Sequence, residues 1–577
     1  MNTLHSDSSI RTGADTGASV LRKQDLVCAV GLDFGSLSCR GIVTDLSDGA
    51  ILAEAAFFYP HGVMEDRLPD GTAIPSGFVL QHPGDYLAAM EEVLRQLTGS
   101  VDPERIAVLG IDTTASTVIP VDRAFQPMCF CEEYSSDPHA WPKMWKHHSI
   151  EQAALLTESL KGHGSDIPLH YGGSVGAEFF LPRIMEVCEL DPALYDKTET
   201  FMELGDWLVT VLAGREVRSG SMLTCKAAWT PEKGYPEEAV FTDADPRLSG
   251  LRNKLAFRPG ADPCIAWPGQ QAGTVCRTAA ERFHLCEGTV LTGSQMDSYA
   301  GVVGCGVTEE AELHMTLGTS NTFLILTGED RLVPGICASV RDSIYPGFTT
   351  HAAGQSGAGD VFQWFTDNCV PEAYRERAEE AGMNIHAYLT SLAAPLQPGD
   401  TGLLCLEWFN GNKSIILDPS LSGMILGLSL STKPEHIYRA LIEATAFGAR
   451  TIVENYERNG VPVRSVMVSG GISQKNVMLM QIYADILGKE MKVSSCTQAA
   501  ALGAAAYGAA AYESGRSPAV TDTVKRLCGG VMKVYRPDPE NSKKYDSLYR
   551  EYLTLHDYFG RGGNEIMKRL KKYRKAE

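Results

Sequence analysis

The chain of 577 residues carries 71 Asp and Glu against 51 Lys and Arg, a formal net charge of −20. Such an excess of acid excludes a general nucleic-acid binder, which needs a basic face to neutralise phosphates. No run of about 18 apolar residues predicts a membrane span, and 44% hydrophobic with 21% charged residues fits a globular chain with a sizeable core.

Residues 1–24, rich in Ser, Thr, Gly and Asp, predict a disordered leader without the apolar segment of a signal peptide. An apolar run at 27–32 then enters Asp33-Phe34-Gly35-Ser36-Leu37-Ser38. Residues 41–44 follow, and after the turn Ser47-Asp48-Gly49 comes Ile51–Phe58, so the three runs predict an antiparallel meander. Pro83, with Leu87, Met90, Val93, Leu94 and Leu97 at helical spacing, predicts a helix. A buried strand at 106–111 ends at Asp112, and strands alternating with helices predict an α/β chain.

The second half repeats the theme. Residues 313–317 run into Gly318-Thr319-Ser320-Asn321 and out through 322–326. A helix over Pro434–Arg458, a strand at 465–468 ending in Gly470-Gly471, a helix at 476–487, a strand near 491–494 and an Ala/Gly-rich helix at about 498–512 follow. Two hairpins of like chemistry predict two lobes of related topology. The tail beyond Gly560 is basic through Lys568, Arg569, Lys571, Lys572, Arg574 and Lys575, and predicts a solvated terminal helix.

Fifteen cysteines, an odd number without any C-x-x-C, predict free thiols in a reducing cytoplasmic setting. Cys129 and Cys131 lie near His139, His147 and His148, but without zinc-ligand spacing a polar loop is the preferred reading.

The Asp33 turn presents Gly35 and the hydroxyls of Ser36 and Ser38, whose N–H and O–H donors suit anionic oxygens. An aspartate there would repel a bare phosphate, yet fits beside Mg²⁺, which takes one or two carboxylates, waters and substrate phosphates. Gly318, Thr319 and Ser320 repeat the small donors without the acid, and two facing hairpins would clamp a polyphosphate, although turns also favour such residues for local reasons. The absence of G-x-x-x-x-G-K-[ST] excludes a P-loop enzyme. Gly470-Gly471 offers backbone that can pass under a nucleotide, and reads equally as a plain strand-to-helix turn. Asp297 follows Thr292-Gly293-Ser294-Gln295-Met296 where a loop enters a helix of small residues. A carboxylate there is either a partner of the helix dipole or a general base that takes a proton from a substrate hydroxyl during phosphoryl transfer.

Further segments carry a resemblance: Gly31-Leu32-Asp33-Phe34-Gly35-Ser36, Gly110-Ile111-Asp112-Thr113-Thr114, Tyr171-Gly172-Gly173, Glu203-Leu204-Gly205-Asp206-Trp207, Ala353-Gly354-Gln355-Ser356 and Glu407-Trp408-Phe409-Asn410-Gly411. To these are added Gly423-Met424-Ile425-Leu426-Gly427-Leu428 with His436-Ile437 and Ala440-Leu441-Ile442-Glu443, and Val468-Ser469-Gly470-Gly471 with Asn476. Over about residues 25–555 the sequence resembles the FGGY carbohydrate kinases of the actin-like ATPase superfamily, and among them the ribulokinases most.

The resemblance implies two RNase-H-like lobes, 25–307 for the sugar and catalytic base and 308–555 for the nucleotide, then a basic tail at 556–577. It implies ATP in the cleft between them and hinge closure over a sugar. Asp297 would be the base and touch the sugar, with Asp33 near Mg²⁺ through water. Gly35, Ser36, Ser38, Gly318, Thr319 and Ser320 would surround the ATP phosphates, and Gly470, Gly471 and Asn476 the adenosine. Ala115 and Lys226, the latter in Cys225-Lys226-Ala227-Ala228-Trp229, would contact the sugar. Two departures from the ribulokinase pattern bear on the substrate: Ala352 stands where a sugar-contacting Glu is expected, and His147 where an Asp is. Losing a carboxylate that accepts from sugar hydroxyls changes which sugar a hydrogen-bonding site selects. The expected activity is ATP- and Mg²⁺-dependent phosphorylation of a primary hydroxyl of a ketose, ribulose first. Xylulose, erythrulose and polyols are the alternative acceptors, and a non-catalytic nucleotide or sugar sensor of the same fold is the rival of another class. The partners are sugar and ATP, with neither nucleic acid nor membrane, and a homodimer is left open.

Overall fold

Cys28–Phe34 is apolar along nearly its whole length and buried on both faces, as a strand with a neighbour on each side must be. It pairs antiparallel with Ser38–Asp45 and parallel with Ile106–Thr113, the latter in a register that sets Asp33 opposite Asp112. This computed structural model describes residues 27–257, 264–514 and 519–573, so the expected leader lies outside the described residues.

Two seven-stranded sheets organise the molecule. In the first, the antiparallel run Ile51–Phe58, Ser38–Asp45, Cys28–Phe34 continues into parallel Ile106–Thr113 and Val290–Thr292, with Gln271–Thr274 antiparallel at the far edge. Gln295–Met296 adds to the end of Ile106–Thr113. The second sheet repeats the order. Thr349–Gln355, Asn321–Thr327 and Glu312–Leu317 run antiparallel, then Ser465–Ser469 and Glu490–Ser494 are parallel, and Val531–Tyr535 closes the edge antiparallel. The extra strand Ala338–Arg341 lies outside Thr349–Gln355.

Period-two alternation sorts the side chains of Cys28–Phe34 onto two layers. Cys28, Val30 and Leu32 pack with Tyr86, Met90 and Val93 of the helix Pro83–Ser100. Ala29 faces the other way, toward Ala505 and Ala509 of the helix Ala499–Glu513. Gly31 and Gly110 share that second face and let this helix lie directly on the sheet: a Cβ at either would sit 1.9 or 2.0 Å from a helix carbonyl oxygen. Asp33 and Asp112 come next in the same alternation. The second sheet is covered by Pro434–Arg458 and Val477–Leu487, which share its apolar core.

Two features differ from the sequence expectation in detail. Ala499–Glu513 belongs by position to the second half of the chain, yet packs on the first sheet, because its Ala and Gly residues match the small residues there. The basic tail is not simply solvated. Pro539–Gly560 is one helix, and in the short helix Ile566–Lys571 Met567 is buried, Lys568 pairs with Asp418 at 2.8 Å and Lys571 donates to the carbonyls of Pro419 and Leu421. Among the described residues, no helix is long and apolar enough to cross a membrane.

Candidate active site

Three acids meet where the first sheet ends. Asp33 and Asp112 finish adjacent parallel strands in register, and Asp297 opens the helix Asp297–Gly304, which follows the short strand paired to the same edge. Asp112 is fully buried and neither of its carboxylate oxygens meets a donor among the described residues. Burial first, then the charges of Asp33 and Asp297, push its carboxyl well above the ordinary range. Burial also raises Asp33, against the opposing effects of the neighbouring Asp112 carboxyl and the charge of Arg40.

Asp297 is half-buried, and Ser298 N–H donates to its Oδ1 at 2.6 Å, which fixes the carboxylate at the start of the helix. Burial, then the charge of Asp33, pushes its carboxyl up to about 7, while the Ser298 N–H and Lys226 pull the other way. A carboxylate poised near neutrality beside an open face suits proton transfer.

Lys226 ends the helix Gly220–Lys226. Its ammonium lies 3.6 Å from Glu178 and 4.3 Å from the centroid of the Phe179 ring. Ala115 follows the strand Ile106–Thr113 and packs, half-buried, against the apolar cluster that also holds Phe179 and Ala227. Ala352 lies against that same cluster from the second sheet. Ala115 and Ala352 each pack against this extended cluster, Lys226 reaches its Phe179 ring, and Asp297 lies in the field of Lys226. His147 is elsewhere: it is buried and its Nε2 bonds Glu186 at 2.7 Å, so it serves the packing of the first lobe. Cys129 is buried and Cys131 exposed, so the two thiols face different surroundings.

The first hairpin is held rigidly. Gly35 N–H donates to the Ser38 carbonyl at 3.0 Å, which closes the turn, and Ser38 is buried beneath it. Trp145 Nε1 donates to Ser36 Oγ at 3.0 Å, and Gln81 Nε2 to the Ser36 carbonyl at 2.8 Å. In the second hairpin Thr319 and Ser320 are exposed at the tip, while the carbonyls of Gly318 and Thr319 accept from Gly359, Ala358 and Asp360 at the start of the helix Gly359–Cys369.

Gly318 and Thr319 form one wall of a cavity of about 1160 Å³. Gly471 and Asn476 line it too, with His386, Thr390 and Tyr438 farther in. Gly470, at φ 96°, follows the strand Ser465–Ser469 and lies beside Leu317 of the neighbouring parallel strand. Asn476 caps the helix Val477–Leu487 through Oδ1, which accepts from Leu479 N–H at 3.0 Å, and donates to Thr390 Oγ1 at 3.3 Å. The cavity is walled by the second half of the chain alone, so it gathers Gly318, Thr319, Gly471 and Asn476 but not Ser320 or the first hairpin.

Sequence reading passed over Asp112 as a site acid, although a signal was there. Gly31-Leu32-Asp33 and Gly110-Ile111-Asp112 repeat one pattern at two strand ends, and parallel pairing in phase places the two acids side by side. Glu178 and Lys413 had no such signal, because their relation to Lys226 exists only in the folded chain.

Paired sheets of repeated topology, with a late helix recrossing to the first sheet and acids gathered at its strand ends, define a two-lobed actin-like ATPase fold. The chain belongs to the FGGY family of carbohydrate kinases, whose C-terminal domain matches residues 313–512. It is 39% identical to a ribulokinase from Geobacillus thermodenitrificans over 554 residues, covering 95% of this chain and 97% of that one. Identity to a ribulokinase from Bacillus licheniformis is also 39%, over 94% of this chain and 98% of the relative. A xylulose kinase from Rhodospirillum rubrum superposes with a TM-score of 0.74 at 21% identity, covering 92% of this chain and 98% of its own. The protein is thus an ATP-dependent sugar kinase.

Proposed function

We propose that this kinase moves the γ-phosphoryl group of ATP to a primary hydroxyl of a ketopentose, ribulose first, with Asp297 as general base. The observation that carries the reading is the setting of Asp297: a half-buried carboxylate at a helix start, oriented by Ser298 N–H and pushed up to about 7. Phosphoryl transfer asks chiefly for positioning, charge neutralisation and such a base. The likeness of the whole chain to proteins named ribulokinase supports ribulose as the acceptor.

In this reading the second-lobe cavity takes the adenosine, with Gly470 and Gly471 letting backbone pass close and Asn476 on its wall. Gly318, Thr319 and Ser320 receive the phosphates from one side, and Gly35, Ser36 and Ser38 from the other. Mg²⁺ fits the acids of the first lobe, since Asp112 has two buried oxygens without donors beside Asp33. Asp33 would hold the ion through water, and bound there it neutralises phosphate charge. Asp297 accepts the proton of the attacking hydroxyl, while Lys226 and the backbone at Ala115 hold the sugar. Closure of the lobes excludes water, which would otherwise take the phosphoryl group.

Ala352 favours a second reading. It presents no acceptor to a sugar hydroxyl, so the preferred acceptor is open to another ketose or a polyol. A coupled assay of ADP release across ribuloses, xyluloses, erythrulose and polyols tests both. Highest kcat/KM on a ribulose supports the first reading. Turnover of another acceptor with none on any ribulose overturns it.

A further inference from the structure

Lys413 stands between Asn412 and Ser414, both buried, in a segment tied to the second sheet. Ser414 Oγ accepts from Gly354 N–H at 3.1 Å, and Asn412 exchanges backbone hydrogen bonds with Asp418 at 2.9 Å in each direction. The base of the lysine is therefore fixed. Its stem lies over Gly354: a Cβ there would be 3.0 Å from Lys413 Cδ and 3.3 Å from Cε. Gly354 and Ala352 are alternate residues of Thr349–Gln355 and share one face of that strand. Glycine at one position and alanine at the other leave this face bare, and the lysine stem lies across it.

Lys413 is exposed, and its carbonyl accepts from Cys337 Sγ at 4.0 Å. Cys337 first and then Glu178 hold its ammonium above the ordinary lysine range, against burial. Glu178 pairs with Lys226 at 3.6 Å. Burial acts to raise the Glu178 carboxyl, yet Lys226 and Lys413 outweigh it and hold the group below its usual range, so both ammoniums reach it. Lys226 in turn acts on Asp297. Asp297, Lys226, Glu178 and Lys413 are thus linked in a row of alternating charge, Lys226 and Glu178 by contact and the two ends by their field.

We propose that Lys413 is a sugar-specificity residue, whose ammonium donates hydrogen bonds to the acceptor at the end remote from Asp297. The inference rests on the sugar-kinase reading of this site. A sugar lying along the row meets acceptor, donor, acceptor and donor in turn, and each of its hydroxyls can serve as either. Two carboxylates balance two ammoniums, so the row fits a neutral polyhydroxylated acceptor, a ketose or polyol, and not a sugar acid. Because Lys413 comes from the second sheet and the other three from the first lobe, the sugar joins the lobes as they close.

The test compares Lys413→Met and Lys413→Arg with the wild type, using whichever acceptor the panel identifies, so the outcome does not depend on ribulose being correct. Loss of a charge-assisted hydrogen bond predicts a rise in the sugar KM of about tenfold or more in Lys413→Met, with the ATP KM held within about twofold. Lys413→Arg, which keeps donors and charge, recovers most of the affinity. Intrinsic tryptophan fluorescence titrated with sugar alone should show the same loss without turnover. A sugar KM in Lys413→Met within about twofold of wild type, or sugar and ATP KM rising by one common factor, overturns the proposal. A wild type that turns over only non-ribulose acceptors overturns the ribulose reading and leaves this one standing.

Discussion

Gly503 rests against the carbonyl oxygen of Ala300, so closely that a Cβ at 503 would lie 1.9 Å from that oxygen. Two helices distant in sequence, Ala499–Glu513 and Asp297–Gly304, cross there at backbone contact. One of them lies on the first sheet and the other begins with Asp297.

That crossing predicts a coupled loss of stability and activity. Gly503→Ala must push the two helices apart, and overpacking of this kind destabilises by about 1–3 kcal/mol. The shift also displaces Asp297, the proposed base. A thermal melt should show a lower Tm, and purified folded variant a lower kcat. A Tm and kcat equal to wild type would mean the helices have room the structure does not show.

Asp297→Asn keeps the shape of the side chain and removes the proposed base. The kcat is expected to fall about 10²–10⁴-fold, while ATP affinity changes little. Equilibrium binding of ATP and single-turnover kinetics separate the two effects. Wild-type turnover in this variant would remove Asp297 from the chemistry.

The ionisation of Asp297 sets the pH profile. Its carboxyl is pushed up to about 7 and the base form is the ionised one, so kcat/KM should climb as pH rises toward 7 and level off above it. The companion effect on stability has the opposite sense. The folded state keeps a proton that the unfolded chain releases near pH 4, so stability falls as pH rises from there to about 7. A profile flat between pH 5.5 and about 8 would contradict the assignment.

Much of this arrangement was legible in the chain because it is local. The strand into Asp33, the glycine and hydroxyl turns and the helix start at Asp297 are each written in a few consecutive residues, and the hairpins recur in both halves. What was not legible is long-range. Asp112 gains its meaning from a parallel register with Asp33, and Lys413 from a strand face left bare by Gly354 and Ala352. The Ala/Gly-rich helix read correctly as a helix, yet no local signal said which sheet it would cover, since small residues fit any close approach. The basic tail is a largely exposed helix, as its charge predicts, but charge could not show that Lys568 and Lys571 also reach Asp418 and two carbonyls.

Glu407 offers a separate test of buried ionisation away from the chemistry. Gln355 Nε2 donates to its Oε1 at 3.3 Å and Tyr552 O–H to its Oε2 at 2.8 Å, and burial pushes the carboxyl up to about 7. The folded state again holds the proton longer than the unfolded one, so this group lowers stability as pH rises from about 4.5 to about 7. Glu407→Gln imitates the protonated acid and has nothing to ionise. Denaturant titrations should therefore show the variant gaining on wild type between pH 5 and about 8. A constant difference across that range would show that Glu407 does not ionise in the folded protein.

Gly470 and Gly471 are neighbours with opposite expected phenotypes. At Gly470, φ is 96° and a Cβ would lie 2.2 Å from the Leu317 carbonyl oxygen. Gly470→Ala should destabilise the fold by about 1–3 kcal/mol, because an L side chain is strained there and would strike the backbone of the neighbouring strand. At Gly471 a Cβ meets nothing within 4 Å, and the residue lines the large cavity. Gly471→Val should leave Tm near wild type and occupy space the adenosine needs, raising the ATP KM about tenfold or more with little change in the sugar KM. Measured together, a melt and two Michaelis titrations separate backbone geometry from ligand contact. An unchanged ATP KM in Gly471→Val would place the nucleotide outside this cavity, since a branched side chain projecting into an occupied pocket cannot be neutral to its ligand.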